Sequence, residues 1–183
     1  MVFDIYTGLL ALGVLLWSGA HLFKRLAPEK HQAMGRVPIS VVVFVGMALM
    51  VWGYLKTDGP VFWGRTPVMT GINNVLMLVA VYLFAVFGLK TRLAQRVRHP
   101  ALVGTKLWAV AHLLVNGSLQ DIVLFGGLLI WAVVSVIVLN RQTDWIKPAP
   151  ASMSKEIRAV LGTILIYGGI AAIHVGRGYY PFG

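Results

Sequence analysis

An imidazole lies deep within one apolar segment of this chain, and residues suited to a flat ligand recur around it. Gly104, Trp108, His112 and Asn116 are spaced four residues apart, so on a helix they form one slowly drifting stripe. Such a stripe suits a planar ligand or a closely packed partner helix. An ionisable group at membrane depth is costly and by default marks a site. His112 is therefore the first candidate functional side chain, with an interhelical hydrogen bond as the structural alternative.

A second histidine shares a helix face with an aromatic and a basic residue. His21 follows Trp17 by four positions and precedes Arg25 by four. This pattern suits a ligand-binding imidazole with a cation one turn away, or an interfacial side chain bonded to a neighbouring carbonyl. His174, near the end of the last apolar segment, is open to the same two interpretations. His31 lies in a polar stretch and is expected to be a solvated loop residue.

Basic residues precede the segment that contains His112. Arg98 and His99 come directly before Pro100, and proline favours the first turn of a helix. Both side chains are then expected at the membrane interface, where they contact an anionic group of a ligand or anchor the helix. At the far end of the segment, Asn116 is expected to hydrogen-bond across helices.

The residue types available restrict the chemistry. The chain has no cysteine, which excludes thiolate ligation, disulfides and iron–sulfur clusters. The apolar segments contain no Asp or Glu, so neither a zinc site nor a Ser-His-Asp set is supported. Two neutral imidazoles can hold one heme between them, covered by apolar side chains. Without Cys-x-x-Cys-His, that heme would be non-covalent heme b, with Arg25, Arg98 and His99 available for its propionates.

The amino-acid composition indicates that these candidate ligands lie in a membrane protein. Of 183 residues, 58% are hydrophobic and 12% are charged, and the mean hydropathy is +0.78; a soluble domain carries about twice that charged fraction. The sequence predicts an all-α, polytopic membrane helix bundle forming a single domain over residues 1–183. The net charge of +10 is expected in cytoplasmic loops, so membrane lipid and not nucleic acid is the expected partner. The oligomeric state is left open.

Six apolar segments are close to the ~20 residues that a helix needs to cross a bilayer. Lipid offers no partner to backbone groups, so these segments are predicted to be helices. The second or the sixth could instead be re-entrant or interfacial. The predicted spans are Ile5–Phe23, Val37–Leu55, Val68–Leu89, Ala101–Leu119, Ile122–Leu139 and Ala159–Val175.

Charge predicts the orientation of the spans. Twelve basic residues lie in the loops on one side, three lie on the other, and Lys106 is inside the fourth span. The positive-inside rule places the first set in the cytoplasm and both termini outside it. The N-terminus lacks the positive region of a cleavable signal, so the first segment is expected to stay a span.

Three connectors are predicted between spans. Lys56–Pro67 carries Phe62 and Trp63 and is expected at the outer interface, where aromatic residues are favoured. Residues 116–121 are predicted to form a tight helical hairpin, and residues 140–154 an irregular cytoplasmic connector.

The chain resembles the NnrU family of bacterial membrane proteins over nearly its whole length. Arg36-Val37-Pro38 departs from the family pattern. The resemblance is carried by Arg98-His99-Pro100, Gly104, Trp108, Ala111-His112-Leu113-Leu114, Asn116-Gly117, Leu124-Phe125-Gly126-Gly127 and Trp131, and His21, Arg25 and His174 also agree with it.

This resemblance implies a function in the bacterial cytoplasmic membrane, where the orientation predicted from charge makes both termini periplasmic. NnrU proteins are linked to nitrite and nitric oxide reduction in denitrification, and they are similar to the heme b enzyme zeta-carotene isomerase. A hydrophobic substrate or a membrane redox partner is therefore implied, for an enzyme or an accessory protein. The implied iron ligands are His21 and His112, and the implied heme surroundings are Arg25, Arg98, His99, Trp108 and Asn116.

Helix geometry keeps a second pairing open. At ~1.5 Å per residue, His112 lies about 18 Å along its helix from Pro100, whereas His21 is close to the cytoplasmic end of the first span. His174 matches the depth of His112 better and is the alternative second ligand.

Two other functions are also open. One is a heme-free assembly or interaction protein whose histidines only join helices. The other is a methyltransferase-like enzyme, because Arg98-His99-Pro100-x3-Gly104 remotely resembles the S-adenosylmethionine-binding segment of membrane isoprenylcysteine methyltransferases. The downstream glutamate and arginine of that family have no evident match.

Overall fold

A computed structural model describes residues 4–182, and helices dominate this part of the chain. A 3₁₀ turn, Arg92–Gln95, and an isolated bridge between Val61 and Ser118 are its other regular features. The helices are α1 (Ile5–Leu26), α2 (Pro28–Met34), α3 (Arg36–Lys56), α4 (Pro67–Leu89), α5 (Pro100–Val115), α6 (Leu119–Gln142) and α7 (Met153–Gly176).

Five of these helices, α1, α3, α4, α6 and α7, are long and apolar enough to cross a membrane. They confirm five of the six predicted spans and the all-α membrane fold. The second and sixth predicted spans, α3 and α7, are 21 and 24 residues long. The irregular connector predicted over residues 140–154 is confirmed over residues 143–152, which are not helical, whereas its two ends belong to α6 and α7.

The fourth predicted span is shorter than expected. α5 ends at Val115 and has 16 residues, or about 24 Å, against a hydrocarbon core of about 30 Å. The prediction that it reaches Leu119 was wrong. The carbonyl of Gly117 accepts from the Phe62 amide at 2.8 Å, and the Leu119 amide donates to the Pro60 carbonyl at 2.9 Å. These backbone groups bond to the preceding loop instead of extending the helix.

The segment around His31 is also more ordered than predicted. It forms the short helix α2, with Pro28 at its first position and Glu29 in its first turn. Proline is preorganised for this position, and an acidic residue there complements the helix dipole. Gly35, with a φ of +79°, then connects α2 to α3 in a conformation that favours glycine.

The chain divides into two compact units. The first contains the chain up to Gly64 together with Asn116–Leu139, and the second contains Arg65–Val115 together with the chain from Asn140. Each unit has its own packed helices.

In the first unit, α1 and α3 pack with their backbones in contact. A Cβ on Gly53 would lie 2.6 Å from the Leu10 amide nitrogen, and a Cβ on Gly13 would lie 2.7 Å from the Gly46 carbonyl oxygen. Small residues at a helix contact are typical of membrane proteins, where close van der Waals packing drives association. α1 also contacts α6 at its π-helical stretch, Ile122–Gly126.

In the second unit, α4 packs against α5 and α7. Small residues are again buried in these helices: Ala80 of α4, Ala109 of α5 and Ala159 of α7 are each at most 1% exposed. A Cβ on Gly104 would lie 3.0 Å from the Ala80 carbonyl oxygen. The glycine of the predicted four-residue stripe therefore serves close helix packing.

Candidate functional site

The first unit places His21 in a cluster of aromatic rings. Nδ1 of His21 lies 2.7 Å from the carbonyl oxygen of Trp17, one turn earlier on α1. A carbonyl oxygen only accepts, so Nδ1 carries the hydrogen, and in the neutral ring Nε2 holds the lone pair. The His21 ring lies 3.9 Å from the Trp17 ring, and the Trp131 ring of α6 lies 5.7 Å from it at 78°.

This cluster also holds a hydrogen-bond donor without an acceptor. Nε1 of Trp131 is buried and has no partner among the described residues, and the same is true of the Ser18 hydroxyl oxygen on α1. Buried polar groups are nearly always paired, so an unpaired one needs an explanation. Arg25 follows His21 by one helical turn and is exposed. The first unit thus offers three groups to a ligand: the imidazole Nε2 of His21, the indole N–H of Trp131 beside it, and the guanidinium of Arg25 one helical turn further along α1.

The second unit contains His112. It lies in the last turn of α5, half-buried, with its ring 5.3 Å from that of Trp108. Asn116 lies beyond the end of α5, so the helical part of the predicted stripe ends at His112. The predicted role of Asn116 as the last position of that stripe was wrong, because the helix is interrupted before it.

Arg98 and His99 connect two parts of the second unit. Arg98 donates through Nη2 to the carbonyl oxygen and, at 3.2 Å, to the hydroxyl of Thr143. Nε2 of His99 lies 3.0 Å from Oδ1 of Asn140. These bonds join the residues before α5 to the end of α6 and the connector that follows it. Both side chains therefore have a structural role at this edge.

His174 resembles His21 in its local geometry. It lies half-buried in the last turn of α7, and its Nδ1 is 2.8 Å from the carbonyl oxygen of Ile170. The same reasoning leaves the lone pair on Nε2. His31 lies in the short helix α2, and its ring is 5.9 Å from the ring of Phe23 on α1.

Sequence reasoning missed a buried polar network in the first unit. Asp121 is 5% exposed and accepts from the Tyr54 hydroxyl at 2.6 Å, from the Ser118 amide at 2.9 Å and from the Ser118 hydroxyl. The Ser118-x-x-Asp121 spacing before an apolar run is a helix-capping pattern that could have revealed half of this network. Tyr54 lies 67 positions away, and no local pattern indicates its contact.

The donor set of the first unit fits a heme better than a metal held by protein alone. Within residues 4–182, no group of three or more His, Asp or Glu side chains could bind a metal ion together. Heme iron requires one or two protein ligands, because the porphyrin supplies the other four. Nε2 of His21, oriented by the bond at Nδ1, has the chemistry of such a ligand.

The helices and their apolar sequences define a polytopic α-helical membrane protein. A family model described as NnrU protein matches residues 9–179, and the chain therefore belongs to the NnrU family. This match confirms the resemblance drawn from the motif residues. No curated protein and no solved structure is detectably similar to the chain.

Proposed function

We propose that this NnrU protein binds heme b, with Nε2 of His21 as one axial ligand of the iron. The observation that carries the proposal is the 2.7 Å hydrogen bond from Nδ1 of His21 to the Trp17 carbonyl. Histidines that bind a metal usually donate their other ring N–H to a carbonyl or carboxylate, which sets the tautomer and the ring orientation.

The surroundings of His21 support the same ligand. The His21 side chain is exposed, so a bound group can reach it, and the rings of Trp17 and Trp131 beside it offer apolar aromatic surface to a porphyrin. The buried, unpaired Nε1–H of Trp131 would be satisfied by an oxygen of the bound group. Arg25 provides a cation one turn away, suited to a propionate.

The second axial ligand is proposed from the family resemblance as His112. His174 is the alternative, because its Nδ1 bond to Ile170 leaves its Nε2 equally prepared. When bound, the heme would supply one-electron redox chemistry at its iron. The protein would hold and orient it within the membrane, in nitrite and nitric oxide metabolism or as an isomerase acting on a hydrophobic substrate.

The visible spectrum of protein purified from heme-replete cells tests the proposal. Wild type should show the Soret band of a low-spin heme. His112→Ala should abolish heme retention, and His21→Ala should leave a weakened or high-spin, five-coordinate heme. His174→Ala and the control His31→Ala should keep the wild-type spectrum.

Two results would contradict parts of this assignment. Colourless wild-type protein would overturn heme binding and favour the assembly function. If His174→Ala loses the low-spin spectrum and His21→Ala does not, His174 is the ligand and the role of His21 is wrong.

Trp131→Phe keeps a ring but removes the indole N–H, so it should weaken heme retention while leaving the axial ligation, and hence the spin state, unchanged.

A further inference from the structure

An apolar groove lies in the first unit, between α1, α2 and α3. It has a volume of about 310 Å³, at the lower end of the roughly 300–1,000 Å³ typical of ligand pockets. A Cβ on Gly19 would meet nothing within 4 Å, so the groove is open beside this residue. Its lining includes Leu15, Gly19 and Phe23 of α1, Met34 of α2, and Ile39 and Val42 of α3.

The groove opens at the surface of the chain. Leu15 is 69% exposed and Met34 is 51% exposed, although both are large apolar side chains. In a membrane-spanning unit, such an exposed apolar surface faces lipid chains. The lining itself offers almost no polar atom to a ligand.

Cations stand at one end of this apolar lining. Lys30 precedes the lining residue Met34 by four positions on α2, and residues four apart share a helix face. Arg36 precedes Ile39 by three positions on α3, which also places the two on one face. Lys30 and Arg36 are exposed. Glu29 is the sole acidic residue between positions 24 and 36, a segment with four Lys or Arg.

We propose that this groove binds an anionic phospholipid, with an acyl chain in the groove and the phosphate at Lys30 and Arg36. Charge complementarity selects the ligand, because basic pockets beside membrane helices attract anionic head groups. An apolar lining with cations at one end matches a phospholipid, which is apolar along its chains and negative at its head.

This site is separate from the proposed heme site. At 100° per residue, His21 lies roughly 160° around α1 from the mean direction of Leu15, Gly19 and Phe23. The occupant of the groove and a group on His21 would therefore contact opposite faces of one helix. The lipid proposal does not depend on heme binding.

Native mass spectrometry of delipidated protein in detergent tests the proposal. The probes are phosphatidylglycerol and phosphatidylcholine with identical acyl chains, and wild type should retain the first far better. Lys30→Gln with Arg36→Gln removes two cations and should weaken phosphatidylglycerol binding by about thirtyfold. Its effect on phosphatidylcholine should be small.

The matched control is Arg141→Gln with Lys147→Gln, which removes one Arg from the last turn of α6 and one Lys from the connector that follows it, both in the second unit. It should leave lipid retention unchanged.

Gly19→Phe fills the groove and should reduce the binding of both lipids, with Val42→Trp as a second filling variant in case the first perturbs folding. The proposal is overturned if wild type binds the two lipids equally, or if the control pair loses as much phosphatidylglycerol as the Lys30 and Arg36 pair.

Discussion

Gly53→Ala should separate α1 from α3, and the structure indicates by how much. A Cβ at position 53 would lie 2.6 Å from the amide nitrogen of Leu10 and 2.8 Å from the carbonyl oxygen of Tyr6. Ordinary contact begins at 3.4 Å, so the helices must move apart by 0.8 Å. These neighbours are backbone atoms, which cannot relieve the contact by rotating a side chain.

The expected cost follows from this separation. A gap of 0.5–1 Å forfeits about a quarter to a half of each dispersion contact, and overpacking costs about 1–3 kcal/mol. We take the upper value for Gly53→Ala because backbone meets backbone. Alanine has a helix propensity about 1 kcal/mol better than glycine, so the net destabilisation is about 2 kcal/mol, or about thirtyfold in the unfolding equilibrium constant.

Reversible unfolding in mixed micelles, followed by circular dichroism as the denaturing detergent is increased, measures this difference. Gly8→Ala is the matched control on α1, because a Cβ there meets nothing within 4 Å. It should stabilise the protein by up to about 1 kcal/mol. If Gly53→Ala proved as stable as Gly8→Ala, the backbones of α1 and α3 would not be in contact and the reasoning would be refuted.

Three further predictions concern the buried polar network, the topology and the start of α1. Tyr54→Phe removes a donor from buried Asp121 and should destabilise the protein by about 1–3 kcal/mol in the same unfolding assay; no change would mean that the bond contributes nothing. A fluorescent reporter that matures only in the cytoplasm, fused to Gly183, should stay dark, whereas bright cells would mean that one span is misassigned. The amide and hydroxyl of Thr7 bond to Asp4 and lower the pKa of that carboxyl, so the cap stabilises α1 above the ordinary aspartate pKa and is lost as the pH falls through the lowered value. The Thr7 amide shift in NMR should follow this titration in wild type but not in Asp4→Asn.

The sequence predicted the contacts of the candidate site that lie within one helix, but not those between distant segments. Trp17 and His21 were grouped correctly because four-residue spacing on a helix is a local property. The Trp131 ring beside them could not be predicted, since it comes from α6, over a hundred positions later. Likewise, the sequence singled out Arg98 and His99, but their bonds to Thr143 and Asn140 join segments distant in the chain.

The sequence by itself determined the membrane class, the helical fold and, to within three residues, most of the span boundaries; the last span begins earlier than predicted, at Met153 instead of Ala159. The reason is physical: backbone groups in lipid must be satisfied within their own segment, so a long apolar run becomes a helix whatever its neighbours are. The NnrU family also follows from residues that can be read along the chain.

Only the tertiary structure decided the features that depend on contacts between residues far apart in the sequence. α5 stops at Val115 because the backbone around Gly117 bonds to the loop at Pro60–Phe62, and Asp121 is buried because Tyr54 reaches it. The contact of Gly53 with α1 likewise depends on two helices approaching within backbone distance. Such contacts depend on which segments pack against each other, and the spacing of residues within one segment carries no information about its packing partner.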